Sequence, residues 1–540
     1  MKKVLISFVF GFIALLSSAS NLGISNVSLT GQNPVQDYIM VQFDVSWEHS
    51  WRLSYGPSHW DAVWIFVKFR ALTDEWRHAV LNPASGNHLV PGNCDIEVPG
   101  SGTGVFLYRN AAGTVPVNFT VIQWRWDYAF NGWPDDADIE ISVMGIEMVY
   151  IPQNAFYAGD NNTSFASLIQ GSSDNDPWHI VSEASLQVSN IASNGYYYQS
   201  TGKGGEFPTG SSFQINEFYP KGFKAFYIMK YEISQEQYRD FLNCLDRNQQ
   251  QQRVAANISG TTPGNIYVMS NYYLVLNRSY ICCSSTLPAT GRITFYCDAD
   301  GDQVYDEPGD GQNVAMNYLT WMDLAAYADW SGLRPMTELE YEKACRGTRP
   351  AVSGEYVWGN TALHSTPYSI LFSSQAQEII TNIGLNTGNA LYAGTLGPGV
   401  LRTGIFSYSA SNSRQETGAT YYGLAEMAGN VSEFVVNCGT PAGLTFSGLH
   451  GNGILNDAGD ADVDYWPGIN GNNDQGSPSA AYGGSVGVTQ NAGAGFRGGS
   501  LNTTAHKLRI SDRSDSCYAS FAPVRTSSYG GRLVLDAPGN

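Results

Sequence analysis

Between residues 39 and 47 every second side chain is apolar: Ile39, Val41, Phe43, Val45 and Trp47. Val63, Ile65, Val67 and Phe69 repeat the pattern, as do Ile139, Ile141 and Val143. A period of two places one face of each strand against a core. Turn-forming clusters such as Gly56-Pro57 and Pro91-Gly92-Asn93 separate the runs. Short alternating strands with such punctuation predict an all-β sandwich over residues 21–145. Trp64, Trp124 and Trp126 are expected on the exposed face. They read either as a sugar-binding platform or as core and inter-domain packing.

The pattern changes after Gly145. Ser234 to Leu245 predicts a helix, opened by a capping box of Ser234 with Gln237. Thr320 to Ser331, stopped by Gly332, predicts a second. Thr337 with Glu340 marks the start of a third. The remainder is rich in Gly, Asn and Ser, which predicts an irregular α+β domain over residues 146–540. Two segments read as insertions in it. One spans about 246–312 and starts near the glutamine run Gln249 to Gln252. The other is a Gly/Asn/Asp-rich loop over about 439–495.

Hydrophobic residues make up 43% of the 540 residues and charged ones 14%, enough apolar material for a real core. The net charge of -19 repels phosphate backbones, so nucleic acid is not an expected partner. It either favours divalent cations or serves only solubility. Lys2 and Lys3, the apolar run Val4 to Leu16 and the small residues Ser17 to Ser20 read as a signal peptide over residues 1–20. The expected location is therefore secreted, at the cell surface or periplasmic. No other stretch is long and apolar enough to predict a transmembrane segment. Four of the eight cysteines, Cys244, Cys282, Cys283 and Cys297, lie close in sequence and suggest a local disulfide staple.

Five ordered phrases resemble the formylglycine-generating enzyme, or sulfatase-modifying factor, family. They are Met148 to Pro152 with Phe156 and Gly159; Phe226 to Leu242 (FYIMKYEISQEQYRDFL); Asn317 to Gly347, with Arg334-Pro335-Met336-Thr337-Glu338 and Tyr341-Glu342; Tyr422 to Phe434 (YGLAEMAGNVSEF); and Phe496 to Ser500 with Arg509, Arg513 and Gly530-Gly531-Arg532. The resemblance implies a C-type-lectin-like core with little regular structure. It also implies copper-dependent oxidation of a substrate cysteine through two thiolates, between the Gly-Gly-Ser and the following arginines. Soft thiolate is what selects Cu(I). Here Ser500 to Arg513 contains no cysteine, and Cys517 stands alone beyond it. Asp512 and Arg513 are expected in structural ion pairs. None of the eight histidines forms a close pair or H-E-x-x-H motif of the kind that holds iron or zinc.

Calcium is the expected ligand. The family's calcium loop maps onto Glu426, Gly429, Val431 and Glu433, and a further family site begins at Asn382 and Ile383. Hard Ca²⁺ takes such oxygens. Independently of the resemblance, Asp298, Asp300 and Asp302 around Gly301, followed by Asp306, form either a compact calcium loop or a solvated acidic turn. The expectation is a secreted, calcium-stabilised, non-catalytic protein that binds an extracellular protein or glycan, or associates with itself. Its rivals are a formylglycine-type oxidoreductase or other enzyme on the same scaffold, and a structural filament or surface-layer subunit. The two insertions, the first with Tyr267, Tyr272, Tyr273 and Tyr280 and the second with Tyr465 and Trp466, are the expected contact loops.

Overall fold

The computed structural model describes residues 22–71, 75–171, 175–395, 397–407, 413–469, 487–518 and 524–539. The signal-peptide expectation and part of the second loop lie outside these. The chain is mostly β with few helices. The strands used below are β1 (Gly23–Asn33), β2 (Tyr38–Trp47), β3 (Asp61–Ala71), β4 (Cys94–Glu97), β5 (Val105–Arg109), β6 (Val117–Trp126), β7 (Ile139–Ile151) and β8 (Phe226–Met229). Helices α1 (Gln235–Cys244) and α2 (Arg247–Arg253) follow, then β9 (Ile281–Cys283) and β10 (Phe295–Cys297). Helix α3 (Trp321–Trp330), β11 (Arg334–Pro335) and α4 (Glu338–Arg346) come next. The chain closes with β12 (Ser432–Val436), β13 (Ala494–Arg497) and β14 (Leu533–Asp536).

Strands β1, β2 and β6 form one sheet. A larger eight-stranded sheet runs β11-β14-β8-β7-β3-β5-β4, with the short strand Arg77–His78 added to β3. Its centre is β7. That strand pairs with β3 from Ile139 opposite Ala71 to Val149 opposite Asp61, and with β8 from Met148 opposite Met229 to Ile151 opposite Phe226. The boundary expected at Gly145 therefore falls inside a continuous strand. Gly145 does not break it. A Cβ there would meet Leu22 and Ile24 at 3.0 Å, so the glycine lets the start of the chain cross close over the sheet.

Period-two alternation divides the two faces of this sheet as expected. Val63, Ile65, Val67 and Phe69 face the small sheet and share a core with Val41, Phe43, Val45, Trp47, Trp124 and Trp126. Trp64 and Phe66 face the other way and join the largest core with Tyr227, Phe241 and Trp330. Trp64, Trp124 and Trp126 are completely buried, so they pack and form no sugar platform. The Trp64 indole donates to the Ser331 carbonyl at 2.8 Å, which fastens β3 to the end of α3.

All three expected helix starts have reciprocal capping boxes: Ser234 with Gln237, Thr320 with Asp323, and Thr337 with Glu340. The glutamine run lies in a fourth helix, α2, capped by Asp246 with Gln249. It was read as the edge of an insertion because polar side chains carry no helical stripe. Gln250 is buried and uses its amide on Leu242 and Ile293 instead. The segment it opens joins the main core through Ile281, Cys283, Phe295 and Cys297. The expected disulfide staple is absent: all eight cysteines are free, buried thiols. β9 and β10 put Cys282 opposite Tyr296 and Cys297 opposite Ile281, so neither cysteine faces the other. The described part of the second loop also packs inward. Trp466 is 1% exposed and donates to the Leu449 carbonyl, and Asp460 pairs with Arg253 at 2.7 Å.

Because β7 and the largest core belong to both halves, neither half is expected to fold alone. A chain starting at Gly145 loses β3, β5, Trp64, Phe66 and Phe106 together. It should be insoluble or lack a cooperative melt by circular dichroism, whereas the whole chain should melt in a transition to which both halves contribute.

Candidate functional site

Helix α4 is buried on every side although five of its nine residues carry charge. Glu338 accepts from Arg513 Nε at 2.7 Å and Nη2 at 3.0 Å, from Arg497 Nη1 at 3.0 Å and from the Cys438 N–H at 2.8 Å. Glu342 accepts from Arg497 at 2.7 Å, Arg346 at 3.1 Å, Ser511 at 2.9 Å and the Gly159 N–H at 2.8 Å. Glu340 takes two bonds from Arg334. Burial alone would raise the Glu338 pKa, but the arginines outweigh it and hold the carboxyl at about 2. Arg513 thus stands in the expected ion pair. Asp512 does not; its carboxylate accepts from the Ser514 N–H at 3.0 Å and leaves Oδ2 buried without a partner.

The loop from Glu426 to Glu433 lies beneath this lattice. Gly429 has φ 81°, and a Cβ there would meet the Leu391 carbonyl oxygen at 2.3 Å, so only glycine fits. The Gly429 and Asn430 N–H groups donate to the Gly498 and Leu391 carbonyls. Glu426 Oε2 accepts from the Gly404 N–H at 2.9 Å, while Oε1 is buried without a partner. Glu433 Oε1 accepts from Arg532 Nε at 2.9 Å, and its Oε2 is likewise buried and unpartnered. Burial pushes the Glu426 carboxyl up to about 7 and raises Glu433 against the opposing pull of Arg532. Glu232 is a third buried carboxylate here; it accepts from Asn430 Nδ2 at 2.6 Å and the Val431 N–H at 3.1 Å. Burial and the nearby Glu433 raise its pKa far above the ordinary range. Arg532 faces all three glutamates. Sequence reasoning assigned neither Glu232 nor Arg532 to this site, although both lie in the quoted phrases.

Asp298, Asp300 and Asp302 do converge, with one oxygen of each within 4.8 Å of the others. Asp306 turns away; it pairs with Arg239 at 2.6 Å and accepts from the Cys297 N–H. Asp310 closes the turn with bonds from the Ala299 and Glu307 N–H groups, and burial pushes it up to about 6. Asn382 spends its side chain on Ser369 and Pro367, and Ile383 packs beside a small core.

A family model described as the sulfatase-modifying factor enzyme 1-like domain matches residues 199–537. The chain belongs to this family. No curated protein matches it. In this sulfatase-modifying factor domain, Ser500 to Arg513 folds as a tight turn and a 3-10 helix at Ala505–Leu508. The Thr503 hydroxyl accepts from the Ser500 N–H at 2.8 Å, and Leu508 and Ile510 are buried in a second core with Tyr341 and Val435. Cys517 donates its thiol to the Gly204 carbonyl at 3.0 Å, and burial pushes that thiol up to about 12. A thiol so held is neutral at physiological pH and a poor nucleophile or metal ligand.

The lattice has a consequence for stability. Glu338→Gln leaves two buried guanidinium groups short of charge and should cost about 3–5 kcal/mol in urea unfolding. A depressed glutamate pKa stabilises the fold above the ordinary carboxylate range, and that contribution disappears as pH falls toward about 2. The acid limb of a stability-pH profile should therefore be shallower in the variant than in the parent.

Proposed function

We propose that this chain is an exported, calcium-stabilised, non-catalytic sulfatase-modifying factor homologue that binds a ligand or assembles with other chains. The observation that carries this reading is the cysteine-free interval from Ser500 to Arg513. Copper chemistry of the family kind needs two soft thiolates there. The interval offers amide, hydroxyl, imidazole, amine, guanidinium and carboxylate groups instead, so it does not fit a two-thiolate Cu(I) site. The loop at Glu426, Gly429, Val431 and Glu433 carries the kind of oxygen donors that calcium takes. Two carboxylate oxygens there are buried and unpartnered, which is costly unless a cation meets them. Bound calcium would neutralise these carboxylates and hold the loop to its neighbours. The acidic turn at Asp298, Asp300 and Asp302 is a more exposed candidate for the same ion.

Export rests on Lys2, Lys3 and the apolar run that follows. The β-sandwich reading of the N-terminal strands is supported by the core between the two sheets. The lectin-like reading of the remainder rests on the family resemblance. For recognition, the first insertion is the better candidate. Tyr272, Tyr273, Leu274 and Leu276 stand exposed in a row at its edge, whereas Trp466 of the second loop is core.

Two measurements test the proposal. Incubated with copper, oxygen and a cysteine-containing sulfatase peptide, the protein should form no aldehyde at enzyme-like turnover; its appearance overturns the non-catalytic reading. Chelation should lower the melting temperature, and added Ca²⁺ should restore it by mass action. Glu433→Ala should lose that response. An identical melt with and without chelator, and no calcium by elemental analysis, removes calcium from the proposal.

A further inference from the structure

Three neighbouring strands of the large sheet bring a lysine and two carboxylates onto one face. Met148 lies opposite Met229, and the Lys230 N–H donates to the Glu147 carbonyl at 2.9 Å, so Glu147 and Lys230 are cross-strand neighbours. Asp61 lies opposite Val149, two residues from Glu147 and therefore on the same face. The spot lies where two apolar clusters meet, one built on Val63 and Ile65, the other on Val149 and Ile228. Asp61 is 0% exposed, Lys230 4% and Glu147 7%. Lys230 Nζ is 3.2 Å from Glu147 Oε2 and 3.5 Å from Asp61 Oδ2. The Trp51 and Tyr231 rings lie 4.8 and 5.4 Å from Nζ.

The surroundings of Asp61 are those of an activated acyl group rather than a plain counter-ion. Its Oδ2 accepts from the Trp47 indole at 2.9 Å, and its Oδ1 from the Ser50 hydroxyl at 3.0 Å and the Trp51 N–H at 2.9 Å. Fixed donors on both oxygens are placed to stabilise the negative charge that a carboxyl oxygen develops when its carbon is attacked. Burial favours the neutral acid at Asp61 and raises its pKa, against the pull of Lys230. At Lys230 burial favours the neutral amine, but Tyr231, Glu147 and Asp61 outweigh it and raise the pKa above the ordinary lysine range, so the amine must first give up a proton before it can attack.

We propose that Lys230 and Asp61 condense into an intramolecular isopeptide bond, with Glu147 as the proton carrier. One Lys230 proton passes to Asp61, directly or through Glu147, leaving a neutral amine beside a neutral carboxyl. Nζ attacks Asp61 Cγ, and Glu147 takes a second proton from Nζ. Glu147 delivers that proton to the departing hydroxyl, which leaves as water. One N–C bond forms and one C–O bond breaks. Glu147 ends ionised as it began, and nothing is oxidised or reduced. Proximity supplies the driving geometry, because the sheet holds nucleophile and electrophile in place. The product staples β3 to β8 across β7.

The test is the intact mass of the purified full chain, read against its experimentally determined termini. It should fall short by one water molecule. Peptide mapping should show the segments containing Asp61 and Lys230 joined, with trypsin failing to cut after Lys230. Lys68 is equally buried but donates only to the Trp330 and Gly453 carbonyls, so it should stay unlinked. Glu147→Gln should restore the full mass, with circular dichroism reporting its fold. If the unaltered chain has full mass and separate Asp61 and Lys230 peptides, the proposal is overturned, whatever the variant does. A water deficit mapped to any other pair overturns it too, and cross-linking that persists in folded Glu147→Gln overturns the role of Glu147.

Discussion

The ion-pair lattice around α4 is the constraint on which the sulfatase-modifying factor domain depends. Arg497 and Arg513 share the carboxylates of Glu338 and Glu342, all of them fully buried. The guanidinium groups reach further: Arg497 to the Ile510 carbonyl, Arg513 to the Ala166 and Gln199 carbonyls, and the neighbouring Arg346 to Glu355 and to the Tyr157 carbonyl. Loops far apart in sequence are thereby fixed to one short helix. Buried pairs of this kind add little net stability compared with apolar packing. What they supply is a single arrangement, because any other leaves a charge unmatched in the interior. A domain with few ladders of backbone hydrogen bonds relies on that selectivity.

The second organising element is β7. It pairs with the N-terminal strand β3 on one edge and with β8, a strand of the family region, on the other. The largest core mixes Trp64, Phe66 and Phe106 with Tyr227, Phe241 and Trp330, so no apolar surface separates the two halves. Gly145 shows how such a join escapes notice. A glycine between two textures reads as punctuation, yet here it is a point of close approach within an unbroken strand.

Much of this was legible. The alternating runs at residues 39–47, 63–69 and 139–143 lie in strands with the expected faces, because a half-buried strand must alternate. The capping boxes at Ser234, Thr320 and Thr337 worked because a cap is a local bond between near neighbours. The long-range facts did not show. Nothing in Trp64 tells a wet face from a second dry one, since a sheet covered on both sides abolishes the distinction, while Trp124 and Trp126 belong to the core between the two sheets. Cysteine spacing suggested a staple, but pairing depends on side-chain direction, and β9 and β10 offset Cys282 from Cys297. The loop from Glu426 to Glu433 stood out by its phrase; Glu232 and Arg532 arrive at it from remote positions, and their meeting there is visible only in three dimensions. The same holds for Asp306, whose place in an acidic run concealed its partner Arg239.

The continuity of β7 has a mechanical meaning. Its hydrogen bonds to β3 and β8 lie across the strand direction, as in any antiparallel pair. Tension applied along the strand loads those bonds together in shear, not one after another as in an unzipping edge. The two halves of the chain therefore have no hinge between them. A pull on the N-terminal strand β3 is carried through β7 to β8 of the family domain.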